Sequence, residues 1–431
     1  MSEVILDRLL AGDFVDPDGG APLSVATRTV VIGSGLADEA ADRVKALELG
    51  GRLAVVCDDI TAEVLGERVA HALGSIASVE TINLGAAPHA DDETVDRLCN
   101  ASAQVDGLIA VGSGTINDVC KAAARAGNKP YAVFGTAPSM NGYTSVTSAI
   151  TVAGLKRTLP GVAARGVFLD IDVLAAAPAR MIRAGLGDSL CRSTCQTDWR
   201  LAQAVCGVPY REAPFALLAD DEPGLFAEPE ALLSGDRAAM TRLAHTLVLS
   251  GFGMAICAGS EPASEGEHLI AHYGDMLLPA DCPQPLHGEI VGVTTLTMAR
   301  LHESLLAEPP RVAPSTVSEA DIMARFGPAL GALCWEQFSP KRLDRAAADA
   351  LNDRLAAEWA GIAARLAEVH RPASVLEEVL RRAGAPTKPE EAGWPASFYR
   401  DAVLHAREIR NRYTALDLAG DAGRLGEIAD G

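Results

Sequence analysis

Four things are missing from this 431-residue chain, and each removes a class of protein. It has no Cys-x-x-Cys pair. Its nine cysteines are scattered, so neither a disulfide framework nor a thiolate zinc site is indicated, and Cys191 and Cys195 read as small helix residues. It has no basic excess: 37 Lys and Arg stand against 57 Asp and Glu, a net charge of -20. That field repels polyanions, which argues against nucleic acid or an anionic membrane as the main partner and leaves any anionic substrate to be met by a local Lys or Arg cluster. The N-terminal MSEVILDRLLAGDF carries no basic segment followed by an apolar run, and no stretch of ~18 apolar residues occurs. A soluble protein in a reducing, cytoplasmic setting, without membrane insertion, is the expectation. Histidine is also sparse, nine in all, which gives weight to any place where several gather.

The length suggests two domains of roughly 150–250 residues. RTVVIGSG (28–35), RLAVVCDD (52–59), SVETINLG (78–85), GLIAVGSG (107–114), PYAVFGTA (130–137) and GVFLDIDVL (166–174) read as strands. Segments with apolar residues at spacings of three and four lie between the first five. Alternating strands and helices with nearly continuous apolar strands predict an α/β domain with a parallel sheet covered on both faces. From about residue 180 the composition turns to Ala, Leu, Arg and Glu with a helical period, predicting an all-α second half. KRTLPGVAARG (156–166), broken by Pro160 and two glycines, places the boundary at 1–160 and 161–431. The tail GDAGRLGEIADG is expected to fray.

Ligands of a parallel sheet bind at the carboxyl ends of its strands. VVIGSGLADEA opens like a dinucleotide fingerprint but has Asp38 where a third glycine would stand. AVGSGTINDVCKAAARA is the stronger candidate: Gly112, Ser113, Gly114 and Thr115 join a strand to a helix, where backbone amides and the positive end of the helix dipole can hold a diphosphate. Asp118, placed in the first helical turn, suits the cofactor site or the dipole alike. Asp58 and Asp59 in VVCDDIT can accept from an adenosine ribose, which favours NADH over NADPH, or can cap the helix near Thr61. FGTAPSMNGYTSVTSA (134–149) is a loop of small and hydroxyl residues, with Thr136, Ser139, Asn141 and Ser145 suited to hydrogen-bonding a ligand. In GEHLIAHYG, His268 and His272 share one helix face, a spacing that serves a cation or a packed core equally. Asp188 in AGLGDSLCRSTCQTDW and His287 in PLHGEIVGV would complete one carboxylate and two imidazoles with an open position, the donor set of a catalytic rather than a structural metal.

Taken in order, GSGTINDVCK, GTAPSMNGYTS, GLGDSLCRSTCQTDW, SEPASEGEHLIAHY and PLHGEIVGV resemble the sn-glycerol-1-phosphate dehydrogenases, within the iron-containing alcohol dehydrogenase and dehydroquinate synthase-like superfamily. The resemblance covers roughly residues 25–300. It implies a Rossmann-like N-terminal domain, a helical metal-binding C-terminal domain and a reaction cleft between them. It implies NAD(H) or NADP(H) and one divalent zinc, iron or nickel ion held by Asp188, His268 and His287. His272 then lines the site and relays protons, and Asn141 faces the substrate. The implied reaction interconverts dihydroxyacetone phosphate and sn-glycerol 1-phosphate or a related small ketone and alcohol, in a homodimer or larger homo-oligomer. Lys156, Arg157 and Arg192 are the candidates for the phosphate. Two positions depart from the family pattern: Asn141 where aspartate is usual, and Glu261 where arginine is usual. They keep two alternatives open, a dehydroquinate synthase-like cyclase or lyase that recycles its NAD, and a nucleotide-binding member without turnover.

Overall fold

The computed structural model describes residues 2–152 and 155–429, which form two compact units. The first comprises Met1–Ser189, Glu212–Gly259 and Arg382–Gly384, and the second Leu190–Arg211, Ser260–Arg381 and Ala385–Gly431.

In the first unit, six strands pair in parallel in the order β1-β8-β5-β4-β2-β3: β1 (Thr29–Gly33), β2 (Arg52–Cys57), β3 (Ser78–Asn83), β4 (Gly107–Gly112), β5 (Tyr131–Gly135) and β8 (Gly166–Asp170). The four strands β2, β4, β5 and β8 are apolar and buried along nearly their whole length, as expected where helices cover both faces. One side of the sheet packs Val55, Ile109, Ala132, Phe134 and Phe168 against Leu36, Val44, Leu65 and Val69. Phe134 and Phe168 stack, with ring centroids 4.6 Å apart.

The structure corrects several expectations. The chain does not divide at 160/161: β8, which follows that point, is hydrogen-bonded between β1 and β5, so the sheet keeps the chain through residue 189. The end of GVFLDIDVL is helical from Ile171 to Ala175, with Asp170 accepting from the Asp172 N–H at its start. The segment expected to be a loop and a boundary instead contains an antiparallel pair, β6 (Thr147–Val152) and β7 (Leu155–Pro160). Its hydroxyl-rich strands offered neither clean alternation nor a recognisable turn pair. The tail does not fray within the described residues: Ala415–Asp421 and Leu425–Ala429 are helical, Leu425 is buried, and Asp421 accepts from Arg407 at 2.9 Å.

Among the described residues of the second unit, the regular elements are helices. Its core gathers Tyr273, Leu301, Phe338, Trp359, Trp394 and Leu416. One helix among the described residues, Arg237–Cys257 of the first unit, is long and apolar enough to cross a membrane by length and composition, but most of it is buried in the fold.

Candidate active site

A cavity of about 510 Å³ opens at the carboxyl ends of the strands in the first unit. Gly35, Asp58, Ser113, Thr136 and Asp170 line its polar side, and each follows or ends a different strand. The helix Gly114–Ala126 starts at this edge, with Ser113 at its N-cap making no side-chain cap bond. Gly112 must lack a side chain, because a Cβ there would stand 2.6 Å from Ile116. Ile60, Val64, Val173, Ala176, Pro178 and Met181 form the apolar side. Ile60 is 73% exposed and Val64 44%, a cost in water that a bound flat ring would relieve.

Asp58 both lines this cavity and caps a helix: its Oδ1 accepts from the Thr61 N–H at 2.7 Å, and its own N–H donates to Thr61 Oγ1. Asp59 accepts from Asn83. Asp118 is not in the first turn of its helix but in the second, and no acidic residue lies in the first. Its Oδ2 accepts from the Ala149 N–H at 3.2 Å on β6, and burial raises its pKa. Ser145 is likewise turned to the fold, with its Oγ accepting from Lys121 Nζ at 3.0 Å. Lys121 is fully buried and also donates to the carbonyls of Gly142 and Thr147 at 2.7 and 2.9 Å, so one ammonium group gathers the 142–147 segment. Ser139 and Thr115 are half-buried and do not line the cavity. Lys156 and Arg157 lie on β7, paired with Thr151 and Ile150.

Asp188 sits near the end of the helix Ala179–Leu190, two residues before the chain enters the second unit. It is 3% exposed, and its Oδ2 accepts from the Asn141 N–H at 3.0 Å. That bond requires the 134–141 loop to lie tightly on the helix. Gly185 permits it, since a Cβ there would fall 1.6 Å from the Pro138 carbonyl oxygen. The Asn141 amide donates to Ser250 Oγ at 3.3 Å.

In the second unit three histidines converge. His268 and His272 share the helix Gly266–Leu277, and His287 opens the helix His287–Ala307. Ring centroids are 5.1 Å apart for His268–His287, 5.6 Å for His272–His287 and 5.9 Å for His268–His272. Glu267 accepts from His268 Nδ1 at 2.9 Å, which fixes the tautomer and presents Nε2 as the lone-pair nitrogen. Burial is the largest single influence and pushes the Glu267 carboxyl up, but the bond and charge of His268 together with the bonds from the Glu265 N–H and Cys195 outweigh it, and the pKa falls to about 2. The Glu265 N–H, Thr194 Oγ1 and Cys195 Sγ complete its shell at 2.8, 2.9 and 3.0 Å. Cys195 is therefore more than a small packing residue; burial raises its thiol pKa well above the usual value and keeps it an S–H donor. His272 Nδ1 meets Asp275 at 3.0 Å, while burial lowers the His272 pKa. Donor atoms of His272, Asp275 and His287 lie within 4.8 Å of one another, as do those of Cys191, Cys195, Glu267 and His268.

Sequence reading missed Glu267, although it directly precedes His268, and it missed Asp198. The Asp198 carboxylate accepts from the Gly266 N–H, from His302 Nε2 and from the Ala415 N–H, at 3.1, 2.8 and 2.9 Å. It thereby caps the histidine helix from 68 residues away, a pairing that no local spacing announces.

Comparison with known proteins adds findings of three kinds: a family profile, relatives in sequence and solved structures. The profile of the iron-containing alcohol dehydrogenases matches residues 31–178. A glycerol-1-phosphate dehydrogenase [NAD(P)+] of Bacillus velezensis is 29% identical over 95% of both chains. One of Thermococcus kodakarensis is 32% identical over 64% of this chain and 78% of its own. Among solved structures, a probable glycerol dehydrogenase from Sinorhizobium meliloti superposes with a TM-score of 0.62 at 17% identity, covering 94% of this chain and 98% of that one. Maleylacetate reductase from Agrobacterium tumefaciens gives 0.62 at 18%, covering 93% and 95%. At such identities the structures speak to fold alone.

Proposed function

The chain belongs to the glycerol-1-phosphate dehydrogenase family, and from that membership we propose that it reduces dihydroxyacetone phosphate to sn-glycerol 1-phosphate with NAD(P)H, and catalyses the reverse. It is a metal-dependent NAD(P) oxidoreductase. The observation that carries the reading is the meeting of three of the chain's nine histidines at one place, with the tautomer of His268 set by a buried carboxylate.

Asp188, His268 and His287 hold a divalent cation in this proposal. Two imidazoles and one carboxylate suit zinc, iron or nickel and leave a position for the substrate. Bound there, the cation would supply Lewis-acid polarisation of the ketone, and reduced nicotinamide would supply the hydride. The remaining work falls to the protein. Glu267 orients His268 and raises its basicity. His272, steered by Asp275, passes a proton to the oxygen of the product alcohol; its lowered pKa keeps the ring neutral enough to take that proton back in the oxidative direction. In the first unit the amides at the start of the Gly114–Ala126 helix would hold the dinucleotide's diphosphate, Asp58 its ribose, and Ile60 and Val64 its adenine. Asn141 supplies an amide where related chains carry a charge. Homo-oligomeric assembly and a cytoplasmic setting belong to the same proposal.

The test is NADH oxidation by metal-loaded protein with dihydroxyacetone phosphate, with the product's stereochemistry assigned. One NADH consumed per sn-glycerol 1-phosphate formed is the expected result. A cyclase that recycles its cofactor shows no net oxidation at steady state. Silence across a panel of phosphorylated and unphosphorylated three-carbon ketones sinks the dehydrogenase reading.

A further inference from the structure

The phosphate of the proposed substrate needs a cation, and the second unit contains one that sequence comparison does not suggest. Glu261 stands where related chains carry arginine, which by itself would repel an anion. The structure offsets it with Arg412. This guanidinium donates to Glu261 Oε1 at 3.0 Å, to Ser260 Oγ at 3.2 Å and to the Ser264 carbonyl, and its Nε lies 3.8 Å from Glu265 Oε2. Residues 260–265 lead directly into the histidine helix, so Arg412 both neutralises Glu261 and fastens the chain's last segment beside the three histidines.

Two residues earlier stands Arg410. The single turn Ala406–Glu408 packs on the histidine helix, and the Asn411 N–H donates to Gln337 Oε1 at 3.1 Å, so the backbone is fixed on both sides of Arg410. Its side chain is half-buried, yet among the described residues its guanidinium makes no hydrogen bond and no ion pair. Its guanidinium nitrogens still reach solvent, so the five N–H donors are hydrated and open to an incoming anion. Its charge reaches His272, Glu261 and Glu265 electrostatically without any of them closing on it. Burial and the neighbouring Arg412 pull its pKa down to about 10, which leaves it charged at neutral pH.

We propose that Arg410 is the phosphate-binding residue of this enzyme, held ready by Arg412 and supplied from the C-terminal segment in place of the arginine absent at position 261. The proposal rests on the reading of the substrate as a phosphorylated ketone. A planar guanidinium suits two phosphate oxygens at once, and the partners that Arg412 already has leave Arg410 as the available fork.

The test compares kcat/KM for dihydroxyacetone phosphate and for dihydroxyacetone in the wild type, Arg410→Ala and Arg410→Lys. The ratio of the two constants, the preference for phosphate, should fall on the order of 100-fold in Arg410→Ala and by a smaller factor in Arg410→Lys. Thermal midpoints and metal content measured on the same samples verify folding. Titration calorimetry of metal-loaded protein with inorganic phosphate gives a second readout that needs no turnover: wild type should bind and Arg410→Ala should not. A wild type that reduces dihydroxyacetone phosphate while Arg410→Ala keeps the same preference overturns the proposal and leaves the substrate reading standing. A wild type that binds phosphate through Arg410 but does not reduce the phosphorylated ketone keeps the anion site and overturns the substrate reading. Phosphate binding that is equal in both proteins also overturns the proposal.

Discussion

The two units handle their charged groups differently. In the first, several buried or capping charges are tied to backbone: Asp58 to the Thr61 N–H, Asp170 to the N–H groups of Leu36 and Asp172, and Lys121, away from the cavity, to two carbonyls. In the second, side chains are tied largely to side chains. Glu267 meets His268, Thr194 and Cys195, Asp198 meets His302, and Arg412 meets Glu261. Backbone ties shape loops, which suits loops that present amides to a flexible ligand. Side-chain ties set orientation and protonation, which a metal and a proton relay require.

The sharpest way to break this contrast is at the histidines. His268→Ala or His287→Ala should release about one metal ion per chain and lower kcat at least ~1000-fold, checked by elemental analysis and NADH oxidation. Retention of full metal content would show that the cluster is packing. Next comes Lys121→Met in the first unit. Carbonyls of Gly142 and Thr147 lose a charged donor inside the fold, so unfolding free energy in urea should fall by about 2–4 kcal/mol, with metal content preserved. Metal loss without destabilisation would erase the distinction between loop-shaping and orienting charges. Glu267→Gln keeps the shape but removes the charge that fixes His268, and metal affinity by competition with a chelator should weaken about 10–100-fold. Smallest is Asp58→Gly: loss of the cap should cost about 1 kcal/mol of stability and weaken NADH more than NADPH, read from the two KM values. Equal weakening of both would leave Asp58 as a cap only.

The same contrast explains what was legible beforehand. The parallel sheet was readable because strands such as GLIAVGSG carry their burial in consecutive residues, and Asp58 could be recognised as a cap because its partner is three residues away. The spacing of His268 and His272 put them on one face from sequence alone. The second unit's connections run across 72 residues from Cys195 to Glu267, 104 from Asp198 to His302 and 151 from Glu261 to Arg412. No periodicity reports contacts at that range, and residues 300–431 accordingly offered no motif. The β6–β7 pair was missed because Ser, Thr and Pro in KRTLPG read as loop chemistry, and with it the bond from the Ala149 N–H to Asp118.

Asp198 ties residue 415 to the first amide of the histidine helix. The segment around residue 415 is thus fastened to the start of the helix that carries His268 and His272. A protease that nicks near residue 405, or a frameshift just beyond it, would spare all five sequence motifs and still yield an enzyme with its anchor cut, so an intact motif set is no guarantee of an intact catalyst.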